Sequence, residues 1–394
     1  MSRQAALIKN TLIIAFGKIS TQFLTFLLLP LYTTYLATSE FGIVDLAMTY
    51  VTLFAPIITV SLEAGIFRFL IDARGDFDEQ KKIISSALRF ITFTGVASVL
   101  VYFLVHFFIS VPYGLYVAAV TVAVILSNIF LQIARGLGDN VNYTIAGMVA
   151  SITTIVANVV LIVVMRSGVE GMFIATFLAN IACTTYLFIV LKLYRYINFR
   201  IYDKKLTRRL LRYSIPLVPD NASYWAVNTA DRTIISIFLG VMANGIYAVA
   251  CRFSWIINGL FSFFYMSWAE SASVHINSPD RDVFFSKTIN ASVRLFGSLG
   301  LAMIAVLPVV FNLFVGVSFR EAYMYVPLLI LGSFLNSIVG LYNALYIAKK
   351  MTKQIMNTSI VAATVSVVVS LVGIRFIGLY APAIAIIVAY LSMM

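Results

Sequence analysis

Cysteine, histidine and charge are the scarce commodities in this 394-residue chain. There are two cysteines, two histidines and only 11% charged residues. Cys183 and Cys251 both fall inside apolar runs, which excludes a disulfide framework and a thiolate metal site. His106 and His275 stand apart from each other and from any acid cluster, so no histidine metal centre is expected. Soluble proteins carry about 25% charged residues, so a soluble domain of useful size is excluded as well. No GxxxxGK[ST], HExxH or GxSxG pattern occurs, which removes ATP hydrolysis and the common hydrolase sites. No cofactor, no metal and no enzyme activity are expected. Strand-length alternation is missing too, and with it the signature of a membrane β-barrel.

What remains is grease. The chain is 61% hydrophobic with mean hydropathy +0.97, and apolar runs of about 20 residues, enough to cross a bilayer as a helix, recur along its whole length. Twelve segments are expected, near 9–34, 41–66, 83–110, 113–135, 142–165, 169–191, 212–239, 244–270, 286–315, 323–347, 354–375 and 378–394. Arg3 and Lys9 precede the first, as in a signal peptide. The run continues to Tyr35 without a small-residue cleavage site, so it reads as a retained helix. The fold class is therefore an all-α membrane protein. The loops are short, which argues against a membrane glycan polymerase or ligase, since such an enzyme needs a large outer loop for its catalytic groups.

A net charge of +12 would suggest nucleic acid in a soluble protein. Here the cations sit in short loops and report orientation instead, so no nucleic-acid partner is expected. With a cytoplasmic N-terminus, that side holds Arg3, Lys9, Arg74, Lys81, Lys82, Arg135, Arg281, Lys287, Lys349, Lys350 and Lys353. It also holds the eight cations of the central stretch KLYRYINFRIYDKKLTRRLLR, from Lys192 to Arg212. The opposite side holds only Arg166, Arg320 and Arg375.

The central stretch also divides two similar halves. Gly42-Ile43 opens segment two as Gly245-Ile246 opens segment eight, and Arg89 opens segment three much as Arg294 opens segment nine. Gly168 precedes segment six as Gly378 precedes segment twelve. Six helices per half is an even number, so the repeats are parallel, a common transporter plan with the substrate site between the halves. The expected division is an N-terminal lobe at 1–191, a basic cytoplasmic linker at 192–212 and a C-terminal lobe at 213–394. At the repeat offset, the end of segment six maps to roughly residue 400, so the last helix is expected to be cut short.

Polar residues inside the segments are not scattered. Asp45, Thr49, Thr52, Pro56, Thr59 and Glu63 fall on one face of a continuous helix, as do Asp220, Tyr224, Asn228 and Asp231. Arg252, Trp255, Asn258, Ser262 and Tyr265 form a third stripe. Ser, Thr and Asn on such stripes also serve as interhelical glue. Ionisable groups are different, because each costs on the order of 2.5–3.5 kcal/mol at a helix centre. Lys18, Arg68, Arg89, Arg232, Arg252 and Arg294 lie within segments and at several depths. A wet path with cations at successive depths suits an anion crossing the bilayer. Arginine forks match phosphate oxygens in particular. A cation-coupled drug exporter would instead need acids to dominate.

The stretch from Leu27 to Leu70, LLLPLYTTYLATSEFGIVDLAMTYVTLFAPIITVSLEAGIFRFL, resembles the opening of bacterial Wzx-type polysaccharide flippases, members of the multidrug/oligosaccharidyl-lipid/polysaccharide superfamily. The PLY-x₃-L-x₃-E-[FY]-G pattern from Pro30 and the Arg68-Phe69 pair are its most specific pieces. The resemblance implies a V-shaped bundle of two six-helix lobes in the bacterial inner membrane. It also implies transfer of undecaprenyl-diphosphate-linked oligosaccharide, an O-antigen or capsule repeat unit, to the periplasmic leaflet by alternating access. Lys18, Arg68, Arg89, Arg252 and Arg294, with Asn228 and Arg232, are then candidates for substrate binding. Asp45, Glu63, Asp220 and Asp231 are candidates for charge balance or ion coupling. The implied partners are the lipid-linked oligosaccharide, membrane lipids and a polysaccharide polymerase.

Overall fold

The computed structural model describes residues 26–108, 112–201, 203–349 and 351–394. Its described residues form fifteen α-helices, and nine spans are long and apolar enough to cross a membrane. The helices are α1 (Leu29–Tyr35), α2 (Thr38–Ile58), α3 (Leu62–Asp72), α4 (Phe77–Phe108), α5 (Gly114–Leu137), α6 (Asn140–Asn158) and α7 (Gly168–Val190). After these come α8 (Lys204–Ser214), α9 (Leu217–Asn228), α10 (Ala230–Phe238), α11 (Val241–His275) and α12 (Arg281–Phe314). The last three are α13 (Val326–Ala348), α14 (Thr352–Ile377) and α15 (Tyr380–Leu391). The all-helical membrane class expected from composition is what the chain adopts.

Two expected segments are broken rather than continuous. Segment two stops at Ile58 and restarts at Leu62. Pro56 has no N–H to give the ladder, and Val60 and Ser61 turn the chain with φ of 54° and 52°. A β-branched valine in the left-handed region is an outlier that surrounding structure must hold. Segment seven breaks at Thr229, between α9 and α10. The expectation that Asp45 to Glu63, and Asp220 to Asp231, each share one uninterrupted helical face is therefore corrected, because each break rotates the residues beyond it. Segment twelve is the 12-residue α15, and most of segment one lies outside the described residues.

The chain divides into two compact units, Met1–Leu28 with Ala47–Ala222 and Leu29–Leu46 with Ser223–Met394. In the first, α5 packs on α3 and α7, and α7 on α6. Leu62, Ile66, Leu70, Ile129 and Ile133 form its core. Helix α8, drawn from the central basic stretch, seats Leu206 and Leu210 in that core and leaves Lys204, Lys205, Arg208, Arg209 and Arg212 exposed. Asp203 caps it by accepting from the Lys205 and Leu206 amides at 2.8 and 3.0 Å.

In the second unit α11 packs on α13, α13 on α15 and α15 on α14. The indole of Trp268 is buried among Phe261, Phe285 and Phe296, and its Nε1 donates to the Leu341 carbonyl at 2.9 Å. Helix α2 enters this unit through its first turns and meets α11 backbone to backbone. A Cβ on Gly42 would collide with the Val241 carbonyl, and one on Gly245 with the Thr38 carbonyl. The contact is reciprocal, since Thr38 and Gly42 each lie 203 residues before Val241 and Gly245. The repeat seen in the sequence is thus realised as a close crossing that only glycine allows.

Candidate functional site

The first turns of α2 and α10 place three charges together inside the second unit. Arg232 is 2% exposed, Asp45 9% and Asp231 7%. Arg232 Nη1 donates to Asp45 Oδ2 at 2.6 Å, and its Nε lies 3.4 Å from Asp231 Oδ1. The Arg232 amide also donates to Asp231 Oδ1 at 2.9 Å, so the carboxylate closes the first turn of α10 where the helix dipole favours it. The guanidinium lies 5.3 Å from the ring centroid of Tyr247. In such a dry place each charge is held by the others. Arg232 in this conformation is engaged by protein, not open to a ligand.

Arg252 is the contrasting case. It sits five residues beyond Tyr247 on α11 and is half-buried. Its guanidinium stacks 4.8 Å from the Trp255 ring centroid and 6.0 Å from Phe41. Among the described residues it has no carboxylate within ion-pair distance. The partly exposed face carrying Trp255, Asn258, Ser262 and Tyr265 continues along the same unbroken helix, as the spacing required. Asn258 Oδ1 accepts from Asn336 Nδ2 at 3.2 Å. With no ion-pair partner among the described residues, the planar guanidinium keeps its fork of N–H donors for two oxygens of one anion.

The remaining candidates are dispersed. Arg68, exposed on α3, pairs with Asp72 at 2.6 Å one turn on. Arg89 Nη1 donates to the Phe199 carbonyl at 3.3 Å. Arg294 is exposed on α12 and Asp220 on α9. Glu63 accepts from the Thr59 hydroxyl at 2.7 Å across the break in segment two. Asn228 accepts from Tyr390 at 3.2 Å and donates to the Tyr224 carbonyl at 2.9 Å. Lys18 lies outside the described residues. Among those described, no three metal-ligating side chains gather.

Two contributors escape a reading by stripes. Tyr247 carries no charge and sits on an apolar run, yet its ring covers Arg232. Asn244, fully buried, donates to the Gly42 carbonyl at 2.9 Å and ties the glycine crossing to the charged cluster beside it. The only sequence signal for either is the Gly-Ile repeat that places α2 and α11 in register.

The profile of the family described as polysaccharide biosynthesis protein matches residues 7–269. No curated protein matches the sequence. Among solved structures, the chain is similar to the inward-facing conformation of a multidrug resistance MATE family transporter of the MOP superfamily. The TM-score is 0.79 at 14% identity, covering 96% of this chain and 95% of that one. It is also similar to the lipid II flippase MurJ in an inward closed conformation, with TM-score 0.73 at 15% identity over 98% of this chain and 86% of that one. A MOP superfamily transporter from Pyrococcus furiosus gives 0.61 at 14% identity over 98% and 93%. At these identities the structures speak for the fold, and the profile speaks for the family. The chain belongs to the polysaccharide biosynthesis protein family, with the fold of MOP-superfamily transporters.

Proposed function

We propose that the protein is a flippase that carries an undecaprenyl-diphosphate-linked oligosaccharide across the bacterial inner membrane by alternating access, with its N-terminus in the cytoplasm. The observation that carries this reading is Arg252, a guanidinium in a membrane-spanning helix with no ion-pair partner among the described residues, in a polysaccharide biosynthesis protein. A diphosphate needs fixed positive charge in a place of low dielectric, and the aromatic faces beside Arg252 suit the first sugar rings. Arg68, Arg89, Arg294 and Lys18 are proposed to meet the substrate at other depths. Asp45 and Asp231 balance Arg232, and Glu63 and Asp220 remain candidates for ion coupling. A neighbour in fold is named a lipid II flippase, which supports a lipid-linked cargo. A drug exporter shares the fold, but a cationic drug would be repelled by Arg252. The transfer needs no covalent chemistry.

The test is a leaflet-accessibility assay in proteoliposomes with lipid-linked oligosaccharide. Arg252→Ala is expected to lower the flipping rate at least tenfold with insertion intact. Arg252→Lys should recover only part of it, because the fork is lost. A wild-type rate in Arg252→Ala would remove the residue from the site, and drug efflux without lipid flipping would favour the exporter.

A further inference from the structure

A cavity of about 480 Å³ opens at one end of the second unit, where α11 ends, α12 begins and α13 ends. Two cations line it, Arg281 and Lys349, with a single acid, Asp282. Arg281 Nε donates to Asp282 at 3.1 Å and Nη1 to the Ile276 carbonyl at 3.4 Å, which fixes the guanidinium in the wall. Lys349 has no ion-pair partner among the described residues. The hydroxyl-bearing rings of Tyr342 and Tyr346 stand exposed beside them, and Phe285 and Leu345 give the cavity an apolar side that runs into the Trp268 core.

Depth identifies the occupant. Helix α13 has 23 residues, so at 1.5 Å per residue it measures about 35 Å, close to the thickness of a hydrocarbon core. Its last two turns, carrying Tyr342, Tyr346 and the capping Lys349, therefore lie at headgroup level, where tyrosine and lysine anchor membrane helices. A free phosphate in water would gain nothing from the apolar wall. A phosphodiester on two acyl chains meets both halves of the cavity at once. Basic pockets between helices at this level take anionic lipid headgroups. We infer that this cavity is a binding site for an anionic phospholipid, with the phosphodiester held by Arg281 and Lys349 and an acyl chain laid along Phe285 and Leu345. The site is separate from the Arg252 region and does not depend on what the protein transports.

Native mass spectrometry of the detergent-purified full chain tests it, with phosphatidylglycerol, phosphatidylethanolamine and soluble glycerol phosphate as probes. The wild type should retain phosphatidylglycerol at least fivefold more than phosphatidylethanolamine. Arg281→Ala with Lys349→Ala should lose that preference, and Arg281→Lys with Lys349→Arg should keep it. Should the double alanine variant not fold, Lys349→Gln alone is expected to lower retention about threefold. Equal retention of both lipids by the wild type overturns the proposal, as does unchanged preference in the folded alanine or glutamine variant. Displacement of the lipid by millimolar glycerol phosphate would show a site for a free anion and overturn it too.

Discussion

At the residue scale, the decisive contrast is between two arginines twenty positions apart. Arg232 is buried with Asp45 and Asp231, and Arg252 stacks on Trp255 with no ion-pair partner among the described residues. Removing one member of a buried pair strands the other, at about 3–5 kcal/mol, whereas replacing both with apolar groups of similar size is often near neutral. Asp45→Ala is accordingly expected to lower stability by about that amount. On an Asp231→Asn background, so that no second buried carboxylate is stranded, Asp45→Leu with Arg232→Met should recover most of the loss. Thermal unfolding in detergent, read as a double-mutant cycle, checks it. Additive losses would mean that the two side chains do not depend on each other. The sequence showed that these charges sit inside spans and must be compensated. It could not show by which partner, because Asp45 and Arg232 are 187 residues apart and no periodicity links separate helices. Tyr247 was invisible for the same reason.

At the scale of the element, the spans were legible and their interruptions were not. Apolar length predicts a helix wherever water must be kept from the backbone. Nothing in the hydrophobic pattern marks the left-handed turn at Val60-Ser61, which lies within a greasy run. The polar residues Asn228, Asp231 and Arg232 around Thr229 read as a stripe along a helix rather than as a stop. Pro56 hinted at the first. The glycines separate into working and idle ones. Gly42 and Gly245 sit where a methyl group would strike carbonyl oxygen, while a Cβ on Gly95 in α4 meets nothing within 4 Å. Gly42→Ala is therefore expected to lower the melting temperature, and Gly245→Ala likewise. Gly95→Ala should raise it slightly, reflecting a gain in stability of up to about 1 kcal/mol from helix propensity. If all three alanine variants melt together, the crossing is looser than described.

For the whole molecule, composition settles the medium and loop charge proposes the direction. The exposed cations of α8 lie on the side assigned to the cytoplasm, and Ser318, in the turn Val317–Met324, on the opposite side. Both native cysteines are buried, which leaves a quiet background for labelling. Ser318→Cys should react with a membrane-impermeant maleimide in intact spheroplasts, and Lys204→Cys only after lysis. The reverse pattern would invert the proposed topology and with it the direction of transport. The family resemblance read from Leu27–Leu70 agrees with the profile over residues 7–269. The sugar of the proposed substrate is written in no single residue, because sugar faces are met by aromatic rings that packing and interfaces also recruit.

The meeting of Thr38–Gly42 with Val241–Gly245 is self-complementary. Each copy of the repeat offers its counterpart the same carbonyl and receives the same bare α-carbon, which is how two identical subunits touch across a dyad. One short turn, placed twice at a spacing of 203 residues, thus serves as its own complement, and the crossing needs no second kind of surface.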